Sequence, residues 1–174
     1  MAEGLLRHLL TERGIDAEVA SAGLYEGGAP ATAAAGIALA RRGIDLSSHR
    51  SRNLADPEVE LGEADLVIGM ERRHIQEAAV AGADQARCFT LPDLARRALA
   101  ADPRRAEEPL AAWAERLSTG RSFTDFVGVG RAADEVADPI GRGDDVYEAT
   151  VVQLAELLTA VVDRAFPASA AEVA

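Results

Sequence analysis

Three short stretches of the sequence carry side chains that could do chemistry. Ser21 lies in "SAG" at the end of a predicted strand, which is where α/β proteins bind their ligands. His49 lies in "SSHRSR", residues 47–52, a loop rich in hydrogen-bond donors. Asp138 precedes Pro139 in "DPIGRGDDVY", and an acid on an extended loop suits general acid catalysis. Each stretch also has an ordinary interpretation, as a turn serine, a solvated loop and an Asp-Pro turn.

Cys88 is the single cysteine of the chain, so no internal disulfide can form. It lies in "ARCFTL", a short apolar run that predicts a buried strand. A reactive thiol is one interpretation. We favour a small core residue, because free cysteine is among the most buried residue types.

Helical periodicity and glycine punctuation predict two helices near the start of the chain. The opening "MAEGLLRHLLTERGID" predicts an amphipathic helix that ends at Gly14. A second helix is predicted over about 31–42 and ends at Gly43 with the same Arg-Gly-Ile signal. The apolar stripe of the first helix consists of Leu5, Leu6, Leu9 and Leu10.

Apolar runs between the helices predict strands. They cover Ala17–Ala22, Asp65–Met70 and the residues around Cys88. "LVIGM" is continuously apolar, which is typical of a parallel strand covered on both faces. A helix, "ERRHIQEAAVAG", follows it. Strands that alternate with helices predict an α/β fold with a parallel sheet.

Residues 102–134 interrupt the alternation with a polar, glycine-containing insertion before the Asp-Pro loop. It includes one predicted helix near 108–118. The aromatic residues Trp113, Phe123 and Phe126 are expected to anchor the insertion on the core.

The final helix is predicted to start at a capping box formed by Asp145 and Glu148. We expect a single domain over residues 1–166 and a frayed tail over 167–174. The predicted buried stripe of the helix consists of Tyr147, Val151, Leu154, Leu158, Val161 and Ala165.

The composition is that of a globular protein. The chain has 174 residues, 48% of them hydrophobic and 27% charged, with a net charge of −11. The acidic balance and the lack of a basic run argue against a nucleic-acid partner. No apolar stretch is long enough to cross a bilayer, so we expect no membrane partner and a cytoplasmic protein.

Five stretches taken together resemble the low-molecular-weight protein tyrosine phosphatases. They are "MAEGLLRHLL", "ASAG", "RGIDLSSHRSR", "ADLVIGM" and "ADPIGRGDDVY", in the order of that family. The resemblance implies a three-layer, flavodoxin-like α/β fold with a parallel sheet of order 2-1-3-4. It also implies that the substrate partner is a phosphotyrosine protein or a small aryl phosphate, and that no cofactor or metal takes part.

The resemblance further implies roles for individual residues. In the family, a cysteine thiolate attacks the phosphorus, and backbone N–H groups with one arginine hold the phosphoryl oxygens at a helix N-terminus. By position, Asp138 matches the general acid that protonates the leaving phenolate. Ser21 and His49 match residues that support the phosphate loop by hydrogen bonds, and Arg52 matches a family arginine whose role stays open.

The family's nucleophile loop, a cysteine, five residues and an arginine, does not occur in these 174 residues. Cys88 is not its counterpart, because the residue six positions later is Leu94. We expect that the central first strand and this loop precede Met1 in the gene, so that the chain as given is N-terminally truncated and inactive. The alternative is a non-catalytic binding or regulatory module. A thiol-dependent arsenate reductase is disfavoured, because that chemistry needs several cysteines.

The DNA upstream of the Met1 codon tests this expectation. The same reading frame should encode an apolar strand, a cysteine, five residues, an arginine, a serine and a proline, and should run without a stop into Met1. Genomic sequencing across this junction gives the answer. A stop codon close upstream, or a frame without such a cysteine and arginine, would favour the binding module.

Overall fold

The computed structural model describes residues 1–122, residue 126 and residues 134–168. The chain divides into two compact units, one formed by Met1–Glu60 with Val136–Glu156 and the other by Leu61–Glu135 with Leu157–Ala174. In chain order the described elements are α1 (Ala2–Glu12), α2 (Ala33–Ala40), β1 (Val67–Gly69), α3 (Arg72–Val80), β2 (Cys88–Thr90), α4 (Leu91–Ala100), α5 (Leu110–Ser118) and α6 (Asp144–Ala165). Short 3-10 turns lie at Leu61–Glu63 and Gln85–Arg87.

The helices α1 and α2 of the first unit end at the glycines that the sequence pattern predicts. After α1 and α2 the chain turns at Gly14 (φ 64°) and Gly43 (φ 74°), a left-handed conformation that residues with a side chain rarely adopt. The amide of Ile15 donates to Leu10 O at 2.9 Å, and the amide of Ile44 donates in the same way to Leu39 O at 3.1 Å. The two helices therefore end by the same local hydrogen-bond pattern.

The core of the first unit comes from the apolar faces of α1, α2 and the first half of α6. The buried side chains include Leu5, Leu10, Leu39, Ile44, Tyr147, Val151 and Leu154. All six members of the stripe predicted for the last helix are buried, three of them in the first unit and three in the second. The period of about 3.6 residues thus identified the buried face of α6 correctly.

The start of α6 differs from the prediction. The helix begins at Asp144, so Asp145 lies inside its first turn and not at the N-cap. The carboxylate of Glu148 pairs with Arg41 at 3.2 Å and with Arg42 at 3.7 Å, the arginines that follow α2. Glu148 thus pairs with these arginines, whereas a capping box would have used its carboxylate at the start of α6. Asp144 and Asp145 lie in the first turn of α6, where the positive end of the helix dipole stabilises acidic side chains.

The strand predicted over Ala17–Ala22 is wrong. These residues, all of them described, form no β-ladder, and a single parallel bridge joins Gly23 to Asn53 just beyond them. Side chains bond the backbone of the segment: Arg7 donates to Val19 O, and Arg52 donates to Ser21 O. A strand requires a row of backbone partners, whereas here arginine donors take the carbonyl oxygens.

The second unit contains the parallel sheet. β1 pairs with β2 in a two-stranded sheet in which Val67 lies opposite Cys88. Helix α3 packs against both strands, and α4 packs against β2 and α5. Gly69 allows α3 to approach closely, because a Cβ there would lie 2.8 Å from Ile75 Cγ2. The predicted α/β class with a parallel sheet is confirmed. The strand order 2-1-3-4 stays a prediction.

Helix α4 has no counterpart in the sequence predictions. It begins directly after β2 with Pro92 in its first turn, a position where the missing N–H costs nothing. Apart from Leu91, the last residue of "ARCFTL", its residues lie before the insertion that starts at residue 102, in a segment for which no element was predicted.

Most of the predicted insertion is described, and it is well packed. Helix α5 occupies most of the predicted 108–118 helix, and Trp113 and Phe126 are buried as expected. Phe123 and residues 169–174 of the predicted tail lie outside the described residues. Arg121 stacks on the Phe89 ring, with 4.6 Å from the guanidinium carbon to the ring centre, and donates to Cys88 O at 2.6 Å. The insertion is thereby attached to β2.

Arginine side chains also hold the polar segment before α5. Arg116 makes paired contacts of 2.8 and 2.9 Å with the carboxylate of Glu108. The hydrogen bonds from Arg116 lower the pKa of Glu108 to about 2, while partial burial acts in the opposite direction.

None of the helices in the described part of the chain is both long and apolar enough to cross a membrane.

The depressed pKa of Glu108 predicts a pH-dependent contribution to stability. A carboxyl whose pKa is lower in the folded than in the unfolded state stabilises the fold above its unfolded pKa. We therefore expect Glu108→Gln to lower the free energy of unfolding at pH 6, and the difference from wild type to shrink as pH falls from about 4.5 to 2. Urea unfolding at several pH values measures this difference.

The adjacent Glu107→Gln is the matched control, since Glu107 is exposed. It should leave the pH dependence of unfolding unchanged. A Glu108→Gln difference that is the same at pH 6 and pH 2.5 would show that Glu108 does not titrate in this way.

Candidate active site

Ser21 is held at both its side chain and its backbone. Its hydroxyl donates a hydrogen bond to Oε2 of Glu3, in the first turn of α1. Its carbonyl oxygen accepts from Nε of Arg52 at 3.1 Å. This contact gives Arg52 a structural role that the resemblance left open. Ser21 is therefore fixed in orientation by two charged side chains.

His49 faces the same carboxylate as Ser21. Its Nδ1 lies 3.7 Å from Glu3 Oε2, which is an ion-pair distance when the imidazole is protonated. The loop around it is bonded internally, because Arg50 donates to Ser47 O at 3.1 Å and to His49 O at 2.7 Å. The loop rich in donors is thus an ordered turn, and it presents the imidazole to α1.

Backbone hydrogen bonds connect the two loops directly. Gly23 N donates to Arg52 O at 2.9 Å, and Leu54 N donates to Gly23 O at 2.8 Å. Asn53 adds a side-chain bond from Nδ2 to Tyr25 O at 2.9 Å. Because these bonds align residues 21–25 with residues 52–54, the two predicted support residues are held in a fixed relation to each other.

Glu3 is the residue that sequence reasoning missed. It lies in "MAEGLL", a stretch that was recognised only as a helix. Its side chain is 11% exposed and also pairs with Arg7 through Oε1 at 2.7 Å. An acid in the first turn of a helix is common, and nothing local in the sequence distinguishes this one. Only the packing of α1 against the two loops identifies it.

In the described part of the chain, Asp138 takes no part in the contacts around Glu3. Its side chain is exposed and accepts from the amide of Ile140 at 2.9 Å. Arg142 N donates to Pro139 O at 3.0 Å, which completes a turn. Across the ranges 1–122 and 134–168, no hydrogen bond or ion pair joins Asp138 to Ser21 or His49. The structure thus brings together two of the three predicted site residues and leaves Asp138 in a turn.

Cys88 has the properties of a core residue. It is fully buried in β2, and burial raises the pKa of its thiol to about 11 against the opposing effect of the Arg121 charge. The thiol is then protonated at neutral pH, whereas the thiolate is the nucleophilic form. The preference for a structural role is in line with these facts.

Burial lowers the pKa of the Met1 amino group at the start of α1, and the nearby Glu3 charge partly opposes this shift. Nowhere in the described ranges do three or more His, Cys, Asp or Glu side chains gather closely enough to hold a metal ion.

These features define an α/β protein with a serine and a histidine held by one carboxylate. The family described as low molecular weight phosphotyrosine protein phosphatase matches residues 1–115. The chain belongs to this family.

Solved structures of this family have the same fold. The low molecular weight protein tyrosine phosphatase from T. tengcongensis is 26% identical with a TM-score of 0.64, covering 93% of this chain and 87% of its own. The solution structure of such a phosphatase from Bacillus subtilis is also 26% identical with a TM-score of 0.64, covering 94% and 85%. YwlE arginine phosphatase, in a form with a phosphorylated active-site serine, is 26% identical with a TM-score of 0.64, covering 94% and 84%. No curated protein matches the chain.

Proposed function

We propose that this chain provides the general acid and the loop supports of a protein tyrosine phosphatase. The observation that carries the proposal is the family match over residues 1–115. In this proposal Asp138 is the general acid, and Ser21 and His49 support the phosphate-binding loop. The reaction is the hydrolysis of phosphotyrosine through a phosphocysteine intermediate.

The geometry supports the roles of Ser21 and His49. Both side chains reach Glu3 Oε2, beside the N-terminal turn of α1. A helix N-terminus favours an anion, because its first N–H groups have no partner within the helix. Two fixed polar side chains at this point suit a loop that must hold the oxygens of a phosphoryl group.

The role of Asp138 is supported by its position directly before Pro139 and by its exposure. Its carboxyl lies on a turn with Pro139 and is open to solvent, so a leaving group can reach it. In the proposed first step, a cysteine thiolate forms the S–P bond while the P–O bond to the phenol breaks. The phenolate oxygen takes the proton of Asp138. In the second step the ionised Asp138 accepts a proton from water, which attacks phosphorus and releases the cysteine and phosphate.

In this proposal the nucleophile comes from outside these 174 residues. The single cysteine, Cys88, is buried, and its pKa lies at about 11. We therefore propose that the 174-residue chain is inactive by itself. The same observation favours a second candidate function, a non-catalytic module of phosphatase fold that binds a partner. The two functions differ in whether a chain supplied with the loop becomes active.

The substrate is proposed to be phosphotyrosine, in a protein or in a small aryl phosphate, because the family is described by that substrate. A similar structure, YwlE, is an arginine phosphatase at 26% identity. Assays should therefore include a phosphoarginine peptide as a second arm.

We also propose that the protein is cytoplasmic, that residues 1–166 form a single domain, and that it acts without nucleic acid or membrane.

The inactivity of the chain is directly measurable. Purified 1–174 should not hydrolyse p-nitrophenyl phosphate above the rate of boiled protein, because it has no ionised thiol at the site. Turnover clearly above this background, and its persistence in Cys88→Ser, would show that the catalytic centre lies elsewhere.

The role of Asp138 requires a form of the protein that carries the Cys-x5-Arg loop. In that form Asp138→Asn should lower the rate by about 10²–10⁴-fold for a phenolic leaving group, because the phenolate then departs without a proton. The loss should shrink for a leaving group that needs no protonation. Steady-state rates with both classes of aryl phosphate measure the difference.

Asp144→Asn is the matched control, since Asp144 is an exposed acid six residues away. It should keep the leaving-group dependence of the parent. Full activity in Asp138→Asn, or an equal loss for both leaving groups, would contradict the general-acid role and favour a turn residue.

A further inference from the structure

Two carboxylates anchor the segment that lies just before Asp138. Oε1 of Glu135 accepts a hydrogen bond from the backbone amide of Arg72 at 3.1 Å. Oδ2 of Asp134 lies 3.7 Å from Nη2 of the same arginine, and the side chains of this pair are only 14% and 19% exposed. Arg72 is the first residue of α3. Two consecutive acids, far along the chain from α3, thus bind its first residue through the backbone and through the side chain.

The bond from Arg72 to Glu135 uses a group that α3 cannot satisfy by itself. The first N–H groups of a helix have no carbonyl partner within the helix, and the amide of Arg72 is one of them. A carboxylate at this end is also favoured by the helix dipole. Hydrogen bonds to an ionised acceptor are stronger than those between neutral groups, and this one is partly buried. Glu135 is therefore held firmly at the start of α3.

Asp138 follows Glu135 by only three residues. Three residues of chain span at most about 11 Å, so a fixed Glu135 limits how far the carboxyl of Asp138 can move. Val136, next to the anchor, is buried, whereas Asp138 is exposed. Beyond Asp138 the chain turns, because the amide of Ile140 donates to Oδ1 of Asp138 at 2.9 Å. The exposed acid thus follows an anchored segment and belongs to a hydrogen-bonded turn.

We propose that Glu135 is a positioning residue for the general acid. By holding the start of the Asp-Pro loop at α3, it keeps the carboxyl of Asp138 where a leaving group departs. Its meaning for catalysis rests on the proposed function, whereas the anchoring itself is a property of the 174-residue chain. The contact needs an acceptor oxygen at position 135 and not a negative charge. Glutamine should therefore replace Glu135 in this role, and alanine should not.

The first test is NMR of the full chain labelled with ¹⁵N. Glu135→Ala should move the backbone amide signal of Arg72, which loses its acceptor, and that of Ile140, which reports on the turn at Asp138. Glu135→Gln should move the Ile140 signal much less. An Ile140 signal that stays in place in Glu135→Ala would overturn the proposal, because Glu135 would then act on the helix alone. Equal Ile140 shifts in the two variants would contradict the role of the acceptor oxygen.

Glu77→Ala is the matched control, since Glu77 is an exposed glutamate of the same helix. It should leave the Ile140 signal in place. An Ile140 signal that moves as much as in Glu135→Ala would show that the turn responds to any change in α3, which would contradict a specific anchor. If Glu135→Ala does not fold, Glu135→Asp provides the same information, because its shorter side chain withdraws the oxygen. An unmoved Ile140 signal in Glu135→Asp would then overturn the proposal.

The second test is kinetic and uses the form of the protein that carries the Cys-x5-Arg loop. Glu135→Ala should lower the rate by about 10- to 10²-fold for a phenolic leaving group, because a displaced acid protonates the phenolate poorly. The loss should shrink for a leaving group that needs no protonation, and Glu135→Gln should restore most of the activity. A merely structural role would lower both rates alike. Equal losses for the two leaving groups would therefore overturn the positioning role.

These outcomes are distinct from a failure of the proposed function. The NMR measurement uses no phosphate and no nucleophile. A loop-bearing protein without activity would reject the phosphatase assignment and leave the anchoring result standing. An active enzyme in which Glu135→Ala behaves like the parent would reject the role of Glu135 and leave the phosphatase assignment standing.

Discussion

The carboxylate of Glu3 connects three segments that lie far apart along the chain: α1, the loop at Ser21 and the loop at His49. A carboxylate with so little exposure is tolerated only when its lone pairs are occupied. The demand is met by Arg7, the hydroxyl of Ser21 and the imidazole of His49. These contacts hold α1 and the two loops together at the candidate site.

Backbone carbonyl oxygens between α1 and the Ser21 loop also need hydrogen-bond partners, and distant side chains supply them. Residues 17–22 have an apolar pattern that favours a strand, but carbonyl oxygens in an extended segment need donors. Arg7 and Arg52 supply them at Val19 and Ser21. In the second unit, Arg116 and Arg121 do the same for the polar segment and for β2. Arginine is well suited to bind backbone carbonyl oxygens, because its planar guanidinium group offers several donors in a fixed geometry.

Membership of the phosphatase family and the local chemistry of this chain bear on different questions. The family gives the fold and the class of reaction. The chain itself contains an exposed acid on a turn, two polar residues held by one carboxylate, and a buried thiol that stays protonated at neutral pH. The N-terminus of a helix favours an anion, and the Glu3 carboxylate lies in the first turn of α1.

The sequence by itself determined the features that depend on neighbours along the chain. The stripe on α6, the ends of α1 and α2 at Gly14 and Gly43, and the parallel strands around Val67 and Cys88 were all predicted, because periodicity and glycine conformation are local properties. The tertiary structure decided which distant groups meet. Glu148 pairs with Arg41 and not with a cap, residues 17–22 bond to side chains and not to a strand, and Glu3 lies at the centre of the candidate site. Which distant groups meet depends on how helices and loops pack. Gly4 is an example, because its lack of a Cβ lets the first turn of α1 approach Ile44 and Leu46. No local sequence pattern predicts such a contact.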